Sequence, residues 1–166
     1  DRDFSEIKLG LTVGEVEALE AGYGSELKGR PEGSLEYVLN HHFIDGRGTA
    51  EVQYDFLSDH GRNDGPVLRR VYLNFDLLTR DDRKSIFGRI VEDLRRRHGD
   101  PPESRMEISG CYDRVHTYIW MPPGQKIRVE EDYLFSDNQS VRVWHQRREN
   151  AAEDRKNDAP YADTAE

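Results

Sequence analysis

One cysteine, Cys111, stands in a chain of 166 residues. A lone cysteine excludes an internal disulfide framework and any zinc cluster built on several thiolates, and it says little about the redox compartment. Long apolar runs are missing as well. No segment approaches the roughly 18 consecutive apolar residues of a membrane-spanning helix, and the mean hydropathy is -0.90. Basic residues are outnumbered, with 24 Lys and Arg against 33 Asp and Glu for a net charge of -9. Nucleic-acid binding draws much of its affinity from cationic side chains on phosphates, so this balance argues against a nucleic-acid partner. With 35% hydrophobic and 34% charged residues, the composition predicts a thin core under a heavily solvated surface. The length suffices for one domain or for two small units sharing a core. A chain that begins at Asp1 fits removal of an export signal and equally an arbitrary boundary.

Against these absences stands a clear order of elements. Thr12 followed by Glu15 is a capping box, with Leu11 and Val16 at the spacing of a hydrophobic staple. Val13, Val16, Leu19 and Tyr23 continue at helical spacing, and Gly22 or Gly24 ends the helix. Three alternating segments follow: "SLEYVLNHHFI", "AEVQYDF" and "VLRRVYLNF", the last with Arg69 out of phase. A second helix is capped by Thr79, carries Asp81 and Asp82 in its first turn and closes on "RRRHG", so both ends suit the helix dipole. Its apolar stripe is Ile86, Phe87, Ile90, Val91 and Leu94, and Arg83, Lys84, Arg89, Glu92 and Asp93 are expected to face water. Three further strands read "RVHTYIWM", "KIRVEEDYLF" and "SVRVWHQ". The expectation is an α+β fold of two tandem α-β-β-β units, residues 1–77 and 78–148, with the helices on one face of an antiparallel sheet. Residues 149–166 form a polar tail expected to be mobile.

The chemistry-bearing residue types do not assemble into a site with recognisable spacing. "GLTVGE" matches neither a phosphate loop nor a dinucleotide loop and places Glu15 where a phosphate would sit. His41 and His42 are adjacent in a strand and point to opposite faces. "SDHGRNDG" resembles a calcium loop in composition without its ligand spacing. Cys111 and His116 lack an orienting group, and no serine sits in a nucleophile elbow. No cofactor and no metal site is therefore expected. His116 and His145 are the pair that a small metal-dependent hydrolase would have to use.

A different constellation lies in the last three strands. If Val115, Ile119, Ile127, Val129, Val141 and Val143 form the covered face, the opposite face carries His116, Tyr118, Trp120, Arg128, Arg142 and Trp144, with Glu130 among them. Trp, Tyr and Arg are the residue types that anchor protein interfaces. These six are the expected partner-binding residues.

The phrase F-x-x-I-x-L-G-L-T-x-x-E-V, formed by Phe4, Ile7, Leu9, Gly10, Leu11, Thr12, Glu15 and Val16, resembles the opening of the SmpA/OmlA (BamE-like) family, and a β-lactamase inhibitory protein-like family shares it. The second helix, "LLTRDDRKSIF", does not repeat the phrase. The resemblance implies a helix followed by an antiparallel sheet, and a bacterial envelope or secreted protein that works by binding another protein. The leading expectation is thus a non-enzymatic protein-binding domain, periplasmic or secreted, with a protein partner and no membrane span. An acidic inhibitor or immunity-type protein that blocks a toxin or enzyme is the alternative, and the hydrolase is the third reading.

Overall fold

Thr12 opens the first helix through the capping box that its sequence predicts. In the computed structural model, which describes residues 8–39, 49–58, 65–109, 113–133 and 139–148, helix α1 spans Val13–Tyr23 and ends at Gly24 in the left-handed conformation. The Thr12 amide donates to Glu15 Oε2 at 2.8 Å, and the Glu15 amide donates to Thr12 Oγ1 at 3.3 Å. Two amides without helical partners are satisfied in this way. The helix buries Val16 and, one turn later, Glu20. The Tyr54 hydroxyl donates to the Glu20 carboxylate beneath the helix, which offsets part of the cost of burying a charge-bearing group.

Four strands follow α1: β1 (Glu26–Gly29), β2 (Ser34–Leu39), β3 (Ala50–Ser58) and β4 (Pro66–Leu78). Helix α2 (Arg80–His98) comes next, then β5 (Glu103–Ser109), β6 (Asp113–Trp120), β7 (Gln125–Tyr133) and β8 (Gln139–Arg147). All eight strands lie in one sheet, in the order β1-β2-β3-β4-β8-β7-β6-β5, and every neighbouring pair is antiparallel. This overturns the expectation of two tandem α-β-β-β units. The two strands it lacks, β1 and β5, are the edges of the sheet. Edge strands there have little apolar surface to bury, so "ELKG" and "ESRMEIS" carry no clean buried alternation.

The seam of the sheet is β4 against β8, where Leu73 lies opposite Val143 and Phe75 opposite Val141. These four side chains belong to a single core cluster that also takes in Val52 and Tyr54 of β3 and Val129 of β7. Val16 of α1 and Ile86, Phe87 and Val91 of α2 close it from above. Arg69 is out of phase because β4 bulges there: Asp55 pairs with Arg70 and Phe56 with Leu68, which leaves Arg69 as an extra residue. Leu68 is consequently the core residue at 0% exposure, rather than Val67. A second register shift between Phe75 and Leu78 turns Leu77 outward at φ 55° and returns Leu78 to the core.

Helix α2 is held by polar contacts at both ends. Arg83, expected to face water, is 5% exposed. Its Nε donates to Gln139 Oε1 at 2.6 Å, its Nη1 pairs with Glu131, and its guanidinium carbon lies 4.6 Å from the centre of the Tyr133 ring. At the far end, Gly99 caps the helix at φ 76°, and its carbonyl accepts the Trp120 indole N–H at 3.0 Å. Removing one member of a buried ion pair leaves the other uncompensated, at a cost of about 3–5 kcal/mol. Arg83→Met is therefore expected to lower unfolding stability by about that amount in urea titrations. Adding Glu131→Leu to the same chain should recover much of the loss, which a purely steric role for Arg83 would not allow.

Candidate functional site

Cross-strand register decides which face each candidate side chain occupies. In the β6–β7 pair His116 lies opposite Glu131, Tyr118 opposite Val129 and Trp120 opposite Ile127. In the β7–β8 pair Val129 lies opposite Val143 and Arg128 opposite Trp144. Directly opposed residues share a face. His116, Tyr118 and Trp120 thus lie with the core valines under α2, while Arg128, Arg142 and Trp144 lie on the other face. The six residues expected to line one surface are divided three and three.

The covered three form a seat for α2. Phe87 meets His116 and Tyr118 at ring separations of 5.8 Å in each case, and the Arg95 guanidinium lies 5.5 Å from the Tyr118 ring centre. Trp120 is 1% exposed. A side chain so enclosed, with its N–H given to Gly99, cannot reach a partner. The expectation fails because it places Val115 and Ile119 in phase with Ile127 and Val129. The true register is offset by one position, and a one-residue offset moves a whole strand's side chains to the other face.

On the opposite face Trp144 is sandwiched. Its ring lies 5.1 Å from that of Tyr72, its cross-strand neighbour on β4, and the Arg128 guanidinium carbon lies 3.8 Å over its ring centre from the β7 side. Aromatic and cation–π contacts of this kind contribute about 0.5–1 kcal/mol each at partly exposed sites. Beside the stack, Arg142 lies 3.3 Å from Asp132 and 3.6 Å from Glu130, and Glu130 also lies 3.6 Å from Arg128. Burial raises the Glu130 carboxyl above its ordinary value, and the two guanidiniums oppose that rise. Farther along the same face Arg70 pairs with Asp55 at 2.5 Å, and Lys28 reaches Glu51 at 2.6 Å. Neither α1 nor α2 lies on this face, since the core cluster places both on the other. Tyr72 is the member of this group that the sequence pattern does not single out. Its signal is an aromatic residue at a polar-phase position of β4, between Val71 and Leu73.

The histidines do not converge. His116 and His145 both point to the covered face but are separated by β7 and by four positions along the strands, on the order of 16 Å. Among the described residues no group of three or more His, Cys, Asp or Glu side chains is placed to hold a metal ion. His41, His42, Cys111 and all but the ends of "SDHGRNDG" lie outside the described residues. His145 is half-buried near the end of β8 with its Nε2 2.8 Å from Gln125 Oε1. Burial, reinforced by His98, pushes its imidazole down to about 4. The folded protein then refuses a proton that the unfolded chain accepts below about 6.5. Stability falls as pH drops from about 6.5 toward 4, by at most about 3 kcal/mol from this group. Urea unfolding of wild type and His145→Gln should show a stability difference that shifts in favour of the variant across that interval. A difference independent of pH would contradict the assignment.

Comparison with known proteins finds no matching family model, no matching curated protein and no matching solved structure.

Proposed function

We propose that the chain is a non-enzymatic protein-binding domain, and that the sheet face opposite α1 and α2, centred on Trp144, Tyr72, Arg128 and Arg142, meets the partner. The observation that carries this reading is the Tyr72–Trp144–Arg128 stack on a face over which neither helix lies. Trp, Tyr and Arg dominate the binding energy of protein interfaces. Stacking also holds the Arg128 guanidinium in one plane before a partner arrives, which lowers the ordering cost of binding. The alternation of Arg142, Glu130, Asp132 and Arg128 around the rings supplies charges of both signs, which favours selectivity over general stickiness. The opening phrase at residues 4–16, with its resemblance to the SmpA/OmlA family, supports a bacterial periplasmic or secreted setting.

The test is capture of proteins from an envelope fraction by wild type, by Trp144→Ala/Arg128→Ala and by Lys84→Ala, an exposed change on the helix face. A partner retained by wild type and by Lys84→Ala should be lost from the folded double variant, with affinity reduced by about 30-fold or more. Equal retention by all three proteins would refute the reading.

A further inference from the structure

The two edges of the sheet are finished differently. β1 has four residues, a register shift between Leu27 and Gly29, and Lys28 tied to Glu51 and Glu36. A short, irregular, charged strand is how sheets commonly blunt an edge against unwanted pairing. β5 is charged as well, with Arg105 contacting Glu103, but it is longer, at seven residues, and regular. Its register against β6 runs unbroken from Glu103 opposite Ile119 to Ser109 opposite Asp113. Two large apolar side chains stand out from its covered-face side, Met106 at 54% and Ile108 at 70% exposure. Among the described residues no strand pairs with its outer side.

We infer that β5 pairs with β5 of a second copy of this chain, antiparallel about a two-fold axis through Met106. The charge pattern of the strand selects this occupant and this register. Arg105 and Glu107 share the face opposite Met106 and Ile108, because side chains alternate along a strand. With the axis at Met106, Arg105 of each copy lies opposite Glu107 of the other, giving two opposite-charge pairs by symmetry. Met106 then meets Met106 of the second copy, and each Ile108 lies opposite Ser104 and diagonal to Met106. Met106 is also the midpoint of the strand Glu103–Ser109, so this register alone pairs its whole length. Moving the axis to Arg105 sets Arg105 against itself and Glu103 against Glu107, and moving it to Glu107 sets Glu107 against itself. An axis at Ser104 brings Glu103 opposite Arg105 but runs Met106 and Glu107 against the prolines at 102 and 101, which cannot continue a ladder. Arg105 already contacts Glu103 of its own strand. In the paired sheet it lies between that carboxylate and Glu107 of the second copy. The result is a sixteen-stranded antiparallel sheet, twice the eight strands of one chain, with the apolar side chains of both edge strands on the helix-bearing side.

A seven-residue strand pair is a small interface, so a dimer in the weak, concentration-dependent class is expected. Sedimentation equilibrium over about 1–500 μM should show wild type passing from monomer to dimer. Arg105→Glu and Glu107→Arg each place like charges opposite one another, and each variant alone should remain monomeric over that range. Mixing the two variants restores both opposite-charge pairs, as does the double exchange Arg105→Glu/Glu107→Arg, and both preparations should dimerise again. Both positions are exposed, and far-UV circular dichroism checks that the variants fold. A wild type that stays monomeric throughout would overturn the inference, including one that takes up only foreign extended peptides. So would a dimer that either single exchange leaves intact, or one that the mixture fails to restore.

Discussion

The register of β6 against β7 is the constraint from which the rest of the molecule follows. By placing Trp120 opposite Ile127 and Tyr118 opposite Val129, it puts three aromatic rings of β6 on the side where α2 must pack. The helix then has an aromatic floor, with Tyr118 stacked against Phe87, and a hydrogen-bond donor, the Trp120 indole, for its terminal carbonyl at Gly99. The same alternation places Arg128 next to Trp144 on the opposite side. That pairing builds the helix seat, and the pairing of β8 with β7 and β4 builds the half-buried stack on the other side. Shifting the β6–β7 register by one residue would turn the β6 rings to the side away from α2.

A chain with this little apolar content cannot rely on burial alone to fix its helices. α1 has one fully buried valine and leans on the Tyr54–Glu20 contact, and α2 is tied by Arg83 to Glu131 and Gln139 at its start and by Trp120 at its end. Such contacts contribute less net stability than their geometry suggests, because each charge must first be stripped of water. Their value lies in direction: a guanidinium satisfied by two partners and a ring admits few orientations of the helix that carries it. The covered face is thus specified by polar groups embedded in a thin hydrophobic layer. The opposite face keeps its charged side chains for cross-strand pairs.

Both helices can be read from the amino-acid order because their signals are local: Thr12 with Glu15, Thr79 with its acidic first turn, and a glycine at each end. The inner strands can be read because burial on one side imposes alternation, as Ala50, Val52, Tyr54 and Phe56 show. The edges β1 and β5 are illegible for the converse reason, since solvent on their exposed residues imposes no pattern. Arg83 misleads because a charged residue at a helical position signals water unless its partner is known, and that partner lies 48 positions away. The division of the six candidate residues is the most instructive failure. In β6 both phases carry bulky side chains, Val115 and Ile119 in one and Tyr118 and Trp120 in the other, so hydrophobicity cannot say which faces the core. Only pairing with β7 resolves it.

The half-buried stack and the regular β5 edge occupy different parts of the sheet, so a partner on the face and a second copy at the edge do not compete for the same residues. Both depend on the face assignment, and the two tryptophans report it directly. Fluorescence quenching by acrylamide on Trp144→Phe, which keeps Trp120, and on Trp120→Phe, which keeps Trp144, separates the two rings. The account predicts that Trp120 emits at shorter wavelength and is shielded from the quencher, whereas the half-buried Trp144 is quenched more strongly. Equal quenching, or a shielded Trp144 with an accessible Trp120, would contradict the register on which the whole description rests.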